Sequence, residues 1–439
     1  MKKTILATLL IGSLCQNTPA QDFDRTRLDS YYNALEANNK FMGSVAVSRN
    51  GKIIYSRSAG YSDFENMKKA DADSKYRIGS ISKTFTSVLV LKAVEEGKLK
   101  LNQTIGEYFP GIKNSDKITI ENLLYHRSGI HNFTDDKEYL TWNTRPVTEK
   151  EMIDIIAGGG SDFEPDSKSQ YSNSNYVLLT FILEKTFRKP YAELLKKYIA
   201  QPLGLTNTKL GGKINTSENE CNSYKYMDTW KPETETDISI PLGAGGIVST
   251  PVDLVKFSDA LFGGKLLKTE TLELMKTPNG QYGMGLFKIP FYEKTGYGHT
   301  GGIDGFSSVF SYFSDGNISY ALTCNGSNYN NNNISIAVLS AVFNKPYDIP
   351  DFKTYEVSPE ELDKYPGVYS SEQIPIKITV TRVNRTLVAQ GTGQSAFPLE
   401  AVEKDIFRFD QAGIVMEFNI ESKTMILKQG GGQFTFTKE

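Results

Sequence analysis

The sequence predicts an α+β fold: an antiparallel sheet flanked by helices, with a helical subdomain, followed by a small all-β barrel. Three observations carry that expectation. A helix and a hairpin open the chain. A long helical stretch then separates them from strands that return near residue 305. Beyond residue 357 the composition turns almost wholly to short, regularly spaced strands. With 439 residues the chain is long enough for two or three sizeable cores.

The elements follow in order. Residues 1–20 read as a signal peptide: Lys2 and Lys3, a short apolar run from Thr4 to Leu14, and a small-residue cleavage site at Thr18-Pro19-Ala20. The run is too short to span a bilayer well. Cys15 raises lipid anchoring, but Leu14 stands where that signal wants a small residue, which favours a free mature chain. The mature protein is expected to be periplasmic or secreted, with no integral membrane segment. Residues 24–39 place Leu28, Tyr31, Tyr32 and Leu35 on one helical face. Asn50-Gly51 joins the β-rich runs 44–48 and 52–56 as a hairpin, because both turn positions need positive φ. A helix opened by Ser80 runs through Phe85, Val88, Leu89, Leu91 and Val94 and ends at Gly97. Helical pieces follow at 121–125, at 152–156 behind a capping box (Thr148 to Glu151), at 175–187, and at 191–199, stopped by Pro202. Strands are expected over 305–313 and 318–324, then a helix over 334–343. These make a domain of residues 21–345. Residues 346–356 read as a linker and 357–439 as the barrel, with a short helix at 359–364 and strands near 376–380, 415–418, 425–427 and 434–436.

Charge is nearly balanced, with 49 Lys+Arg against 51 Asp+Glu, so nothing points to nucleic acid as a partner. Three histidines without ligand spacing make a catalytic zinc unexpected, and no other cofactor is called for. After leader removal Cys221 and Cys324 remain; a bridge between them is open but unforced.

Four segments carry chemistry. Ser80-Ile81-Ser82-Lys83 sets a hydroxyl and an amine on one helical face. A serine needs a neighbour to take its proton, and the lysine one turn on can do so. Tyr171-Ser172-Asn173 offers a phenol, which acts as a base when a nearby cation favours the phenolate, and an amide that both donates and accepts. Gly298-His299-Thr300-Gly301-Gly302 lets a substrate approach strand backbone closely and offers N–H groups for an oxyanion. Residues 243–254 read as structural, shaping the pocket, with Thr250-Pro251-Val252-Asp253 opening a helix. Each motif alone is a common accident; Tyr-x-Asn recurs at Tyr31 and Tyr329.

Together, Ser80-x-x-Lys83, Tyr171-x-Asn173 and His299-Thr300-Gly301 resemble, in order and rough spacing, the serine β-lactamase and penicillin-binding-protein superfamily. The closest likeness is to its class C β-lactamase-related branch of D-aminopeptidases, carboxypeptidases and bacterial esterases. Leu123 to Ile130 and Pro202-Leu203-Gly204-Leu205 agree with it. The resemblance spans about residues 25–345, and the tail resembles a lipocalin-like barrel. It implies a β-lactamase/transpeptidase-like fold with Ser80 as nucleophile, Lys83 and Tyr171 as proton carriers, and Asn173, His299, Thr300 and Gly301 on the substrate. The N–H groups of Ser80 and Gly302 would form the oxyanion hole. A small-molecule or peptide-like ester or amide is the expected substrate. Acyl transfer from the same intermediate, β-lactam or D-Ala-D-Ala cleavage, and a non-enzymatic penicillin-receptor-like role stay as alternatives.

The chain departs from the family's usual Lys-Thr-Gly. A literal Lys294-Thr295-Gly296 stands five residues before His299, but the glycine-rich strand follows His299, so the register is expected there. A group titrating near 6.5 would then replace a permanent cation, weakening recognition of a substrate carboxylate at neutral pH. Arg127 and Asp166 also depart from the pattern and are expected to tune loops at the mouth.

Overall fold

The expected first helix forms as α1 (Arg25–Ala37), capped by Asp24, whose carboxylate accepts from Arg27 N at 2.9 Å. The structure, a computed structural model, describes residues 23–227, 229–429 and 432–439. The expected leader with Cys15 lies outside the described residues, as do Gly430 and Gly431.

β1 (Phe41–Arg49) and β2 (Lys52–Ala59) form the Asn50-Gly51 hairpin, with φ of 53° and 75° at the turn. The sheet is completed by β3 (Phe287–Phe291), β4 (Lys294–Ile303), β5 (Phe306–Phe313) and β6 (Ile318–Ser327), in the order β3-β4-β5-β6-β1-β2. All neighbours are antiparallel, and β6 closes onto β1. The helical stretch is therefore an insertion between two halves of one sheet.

Alternation along the strands divides the core. Val45, Val47, Tyr320 and Leu322 pack with α1 and a C-terminal helix (Asn331–Val342). Ala46, Phe310 and Ala321 face the other way, onto α2 (Ser82–Glu95) and a helix over Pro251–Phe262. There Phe85 stacks on Phe257 with centroids 3.8 Å apart. Thr250 caps the latter helix by accepting from Asp253 N at 3.2 Å, behind Pro251. Pro202 does not end its helix as expected. The chain continues from Tyr191–Leu195 through a wide turn at 196–200 into Gln201–Leu203, and Gly204, at φ 62°, stops it. Pro202 falls inside this continuous run, two residues before Gly204.

Cys221 and Cys324 are free and buried, so the open possibility of a bridge is not realised. Burial pushes the Cys324 thiol up to about 11. Among the described residues no helix is long and apolar enough to cross a membrane.

Residues 345–358 carry no helix or strand. Beyond them, eight strands between Gly367 and Lys438 close into an antiparallel barrel, the first pairing with the last through Tyr369 and Lys438. Leu387, Phe407, Met416, Met425 and Phe436 fill it. At the junction, Lys40, 3 % exposed, meets Glu400 at 2.6 Å and Asp410 at 3.2 Å.

Candidate active site

The approach to the site is held by backbone pairing. Tyr76–Arg77 pairs with Ile247–Ser249, and Ile78 N donates to Ile247 O at 3.0 Å. The chain then makes a tight turn over Gly79–Ile81 before α2 begins at Ser82, so Ser80 sits on that turn rather than in the helix. Lys83 follows in the first turn of α2, fully buried.

Lys83 Nζ lies 3.0 Å from Ser80 Oγ, 2.7 Å from Asn173 Oδ1 and 2.7 Å from the Ala244 carbonyl. Asn173 begins the next long helix, α3 (Asn173–Phe187). Its amide is oriented by donating from Nδ2 to Thr134 Oγ1 at 3.0 Å, and its backbone N–H donates to Asn132 Oδ1 at 2.9 Å. The Tyr171 phenol hydrogen-bonds with Ser80. The Tyr171 ring stacks on His126 at 4.4 Å and lies 4.8 Å from Lys83 Nζ. Ser80, Lys83, Tyr171 and Asn173 are thus brought together. Asn132, Thr134, His126 and the Ala244 carbonyl support them from other segments.

Burial sets the charge states. It holds the Lys83 ammonium well below the usual lysine range. Burial also pushes the Tyr171 phenol up, against the Ser80 hydrogen bond. The phenol therefore stays protonated, and burial weakens the hold of Lys83 on its own proton. Asn173 Oδ1 and the Ala244 carbonyl only accept, so each takes an N–H from Lys83 Nζ. The third contact of Nζ is the Ser80 hydroxyl, to which it donates at 3.0 Å.

His299 is buried, stacked 4.1 Å from Phe287. Burial, with repulsion from Lys83, pulls it down to about 3 against the hydrogen bond its Nδ1 donates to the Thr300 carbonyl. The expectation of a group titrating near 6.5 is corrected: at neutral pH this position carries no charge. Lys294 stands at the far end of β4, opposite Phe291, paired with Asp315.

β3 stops at Phe287, opposite Gly298, so one edge of β4 is open from His299 onward. The two-residue turn Asp304-Gly305 makes Ile303 and Phe306 the hydrogen-bonded pair. Gly302 is then in the non-bonded pair, with its N–H on the open edge. That edge abuts the Ser80 turn: a Cβ on Gly79, at φ 49°, would lie 2.7 Å from Gly302 N. A Cβ on Gly301 would lie 2.0 Å from the Ile78 carbonyl, which Ser308 Oγ also holds at 2.8 Å. Gly301→Ala is therefore expected to cost about 1–3 kcal/mol and to displace Gly302 from Ser80. Thermal melting reads the first effect; a drop in turnover on the order of 10²-fold reads the loss of one oxyanion donor. Thr300 is placed differently from its expected role. It lies opposite Val309 and lines a cavity on the sheet's other face with Phe287 and Leu339; only its backbone stands at the edge.

Ser80, Asn173, Ala244 and Gly302 open into a cleft of about 430 Å³. Phe133, Tyr139, Leu140 and Glu233 complete its walls, and no described residue of the barrel lines it. Arg77, 2 % exposed, braces one wall. It donates to Thr236 O at 2.7 Å, Gly212 O at 2.9 Å and Asp304 Oδ2 at 3.1 Å, and pairs with Glu235. The two departures noted in sequence, Arg127 and Asp166, are partners, with Nε 2.6 Å from Oδ1; they tie together loops that lead to Tyr171.

The family model for Beta-lactamase matches residues 33–343, and the chain belongs to that family. Among relatives, penicillin-binding protein 4* of Bacillus subtilis is 25% identical over 444 residues, covering 93% of this chain and 97% of that one. Teichoic acid D-alanine hydrolase of Staphylococcus aureus is 30% identical over 220 residues, covering 50% of this chain and 54% of that one. The solved D-amino acid amidase from Ochrobactrum anthropi SV3 is similar at a TM-score of 0.64 and 27% identity, over 72% of this chain and 98% of that one. Family and neighbours point to a hydrolase.

Proposed function

We propose that this protein is an exported serine hydrolase that cleaves an ester or amide through an acyl-enzyme on Ser80. The supporting observation is the buried Lys83 Nζ, held 3.0 Å from Ser80 Oγ by the Asn173 Oδ1 and Ala244 carbonyl acceptors. Ser80 Oγ attacks the carbonyl carbon as its proton passes to Lys83 Nζ. The N–H groups of Ser80 and Gly302 receive the developing oxyanion. When the carbon–leaving-group bond breaks, the proton goes to the leaving group, with the Tyr171 phenol as relay. Water then attacks the acyl carbon, its proton passes to Lys83, and Ser80 recovers a proton as the acid leaves.

The neutral His299 argues for a substrate without a recognised carboxylate, and so against efficient β-lactam or D-Ala-D-Ala turnover. The names of the amidase and the D-alanine hydrolase support an ester or amide of an amino acid as acyl donor. Export rests on the charged and apolar pattern of residues 2–20.

A fluorophosphonate probe is expected to label the wild-type chain and to leave Ser80→Ala unlabelled. Hydrolysis of a p-nitrophenyl ester should exceed that of nitrocefin. Labelling that survives in Ser80→Ala refutes the assignment of the nucleophile.

A further inference from the structure

Glu233 is the part of the cleft that the acyl chemistry leaves unused. It follows a short strand (Thr229–Pro232), is half-buried, and lines the same cleft as Ser80. Neighbouring carboxylates are already engaged. Asp304 accepts from Arg77, and from Thr236 N and Oγ1 at 3.1 and 2.6 Å. Glu235 pairs with Arg77 and accepts from Ile214 N at 2.7 Å. The Glu233 carboxylate has no hydrogen-bond or ion-pair partner among the described residues.

The surroundings make that carboxylate selective. No Lys, Arg or His is among the described residues lining the cleft. The bases behind it, Lys83, His126 and His299, are all buried, and burial lowers each below its usual range. The unpaired charge lining the cleft is therefore negative. A carboxylate-bearing substrate would be repelled by Glu233 and an N-acylated one offers it only a neutral N–H, whereas an ammonium group would pair with it. Phe133, Tyr139 and Leu140 line the same cleft, and Leu140 is 76% exposed, a large apolar side chain left open beside a reactive centre.

We propose that Glu233 is a specificity-determining residue that binds the free ammonium group of an aminoacyl ester or amide, with the Phe133, Tyr139 and Leu140 wall taking its apolar side chain. The proposal rests on the hydrolase reading for the reaction it serves, but binding tests it separately. Calorimetric titration of the full chain carrying Ser80→Ala with phenylalanine amide, and with N-acetylphenylalanine amide, reads recognition without turnover; both enantiomers are used. The free amine should bind at least tenfold more weakly once Glu233→Gln is added, while the N-acetyl ligand changes less than twofold. Glu233→Asp should recover part of the difference. Equal affinity of the free amine for both variants, equal losses for both ligands, or no measurable binding of the free amine to Ser80→Ala overturns the proposal. A binding difference with no fluorophosphonate labelling of the wild type overturns the hydrolase reading instead and leaves Glu233 as an ammonium site.

Discussion

Lys83→Met should lower kcat/KM for a p-nitrophenyl ester by roughly 10²- to 10⁴-fold, the range of a general base removed from its transition state. The fold should survive the change. Methionine matches the length of the lysine stem and removes a buried amine that resists charging. Against that gain, Asn173 Oδ1 and the Ala244 carbonyl each lose a donor, at about 1–3 kcal/mol per orphaned acceptor. Activity thus falls far more than stability. The pH profile supplies the sign. In the proposed mechanism Lys83 accepts the Ser80 proton only as the free amine, so activity should be lost as pH falls through its folded-state pKa. Burial places that pKa below the ordinary lysine value, so the acid limb should lie below that value too. Lys83→Arg keeps a permanent cation and should be inactive at every pH. Folding obeys the same sign: the unfolded chain binds the extra proton between the two pKa values, so Lys83's contribution to stability falls as pH drops through that window. A Met variant within tenfold of wild type, with the acid limb unmoved, would remove Lys83 from the mechanism.

What the sequence made legible was local. Ser80 and Lys83 are one helical turn apart, and Tyr171 and Asn173 flank one turn, so short-range spacing alone put each pair together. Their convergence came from order along the chain rather than from any local signal. Lys83 meets Asn173 and Ala244 across 90 and 161 positions, and nothing near either announces the contact. Charge states were not legible, because burial decides them: His299 read as a group of ordinary pKa, and Tyr171 as a phenol made acidic by a neighbouring cation, until the fold enclosed them. The Thr300 side chain turned away because β4 alternates faces, a consequence of pairing with β5. In the barrel, strands such as Ile378 to Val380 showed clean alternation, but Phe397–Glu403 buries only one residue of its seven, so its period was faint. Closure depends on the first strand reaching the last, which no window along the chain contains.

Arg77→Met should destabilise the catalytic domain by about 3–5 kcal/mol, the usual cost of removing one partner from a buried ion pair. Arg77 and Asp304 are 2% and 4% exposed at their side chains, so the carboxylate left behind cannot turn to water. Its bonds from Thr236 N and Oγ1 remain but carry no compensating charge. Glu235, at 28%, is freer and should contribute less. At roughly 2–4 °C per kcal/mol for a domain somewhat smaller than this one, the melting temperature should fall by on the order of 10 °C. Arg77→Lys should not rescue it, because a single ammonium cannot span the four acceptors that the planar guanidinium reaches. Adding Asp304→Asn to Arg77→Met should restore much of the loss, since the pair is then replaced rather than broken. Turnover should not return with stability. The Glu233–Thr236 wall and the Asp304 turn beside Gly302 are positioned through Arg77, and a neutral pair leaves both free to shift. Full recovery of kcat/KM in the double variant would show that Arg77 braces only the fold. No recovery of melting temperature would show that the unpaired Asp304 charge is not what the single variant loses.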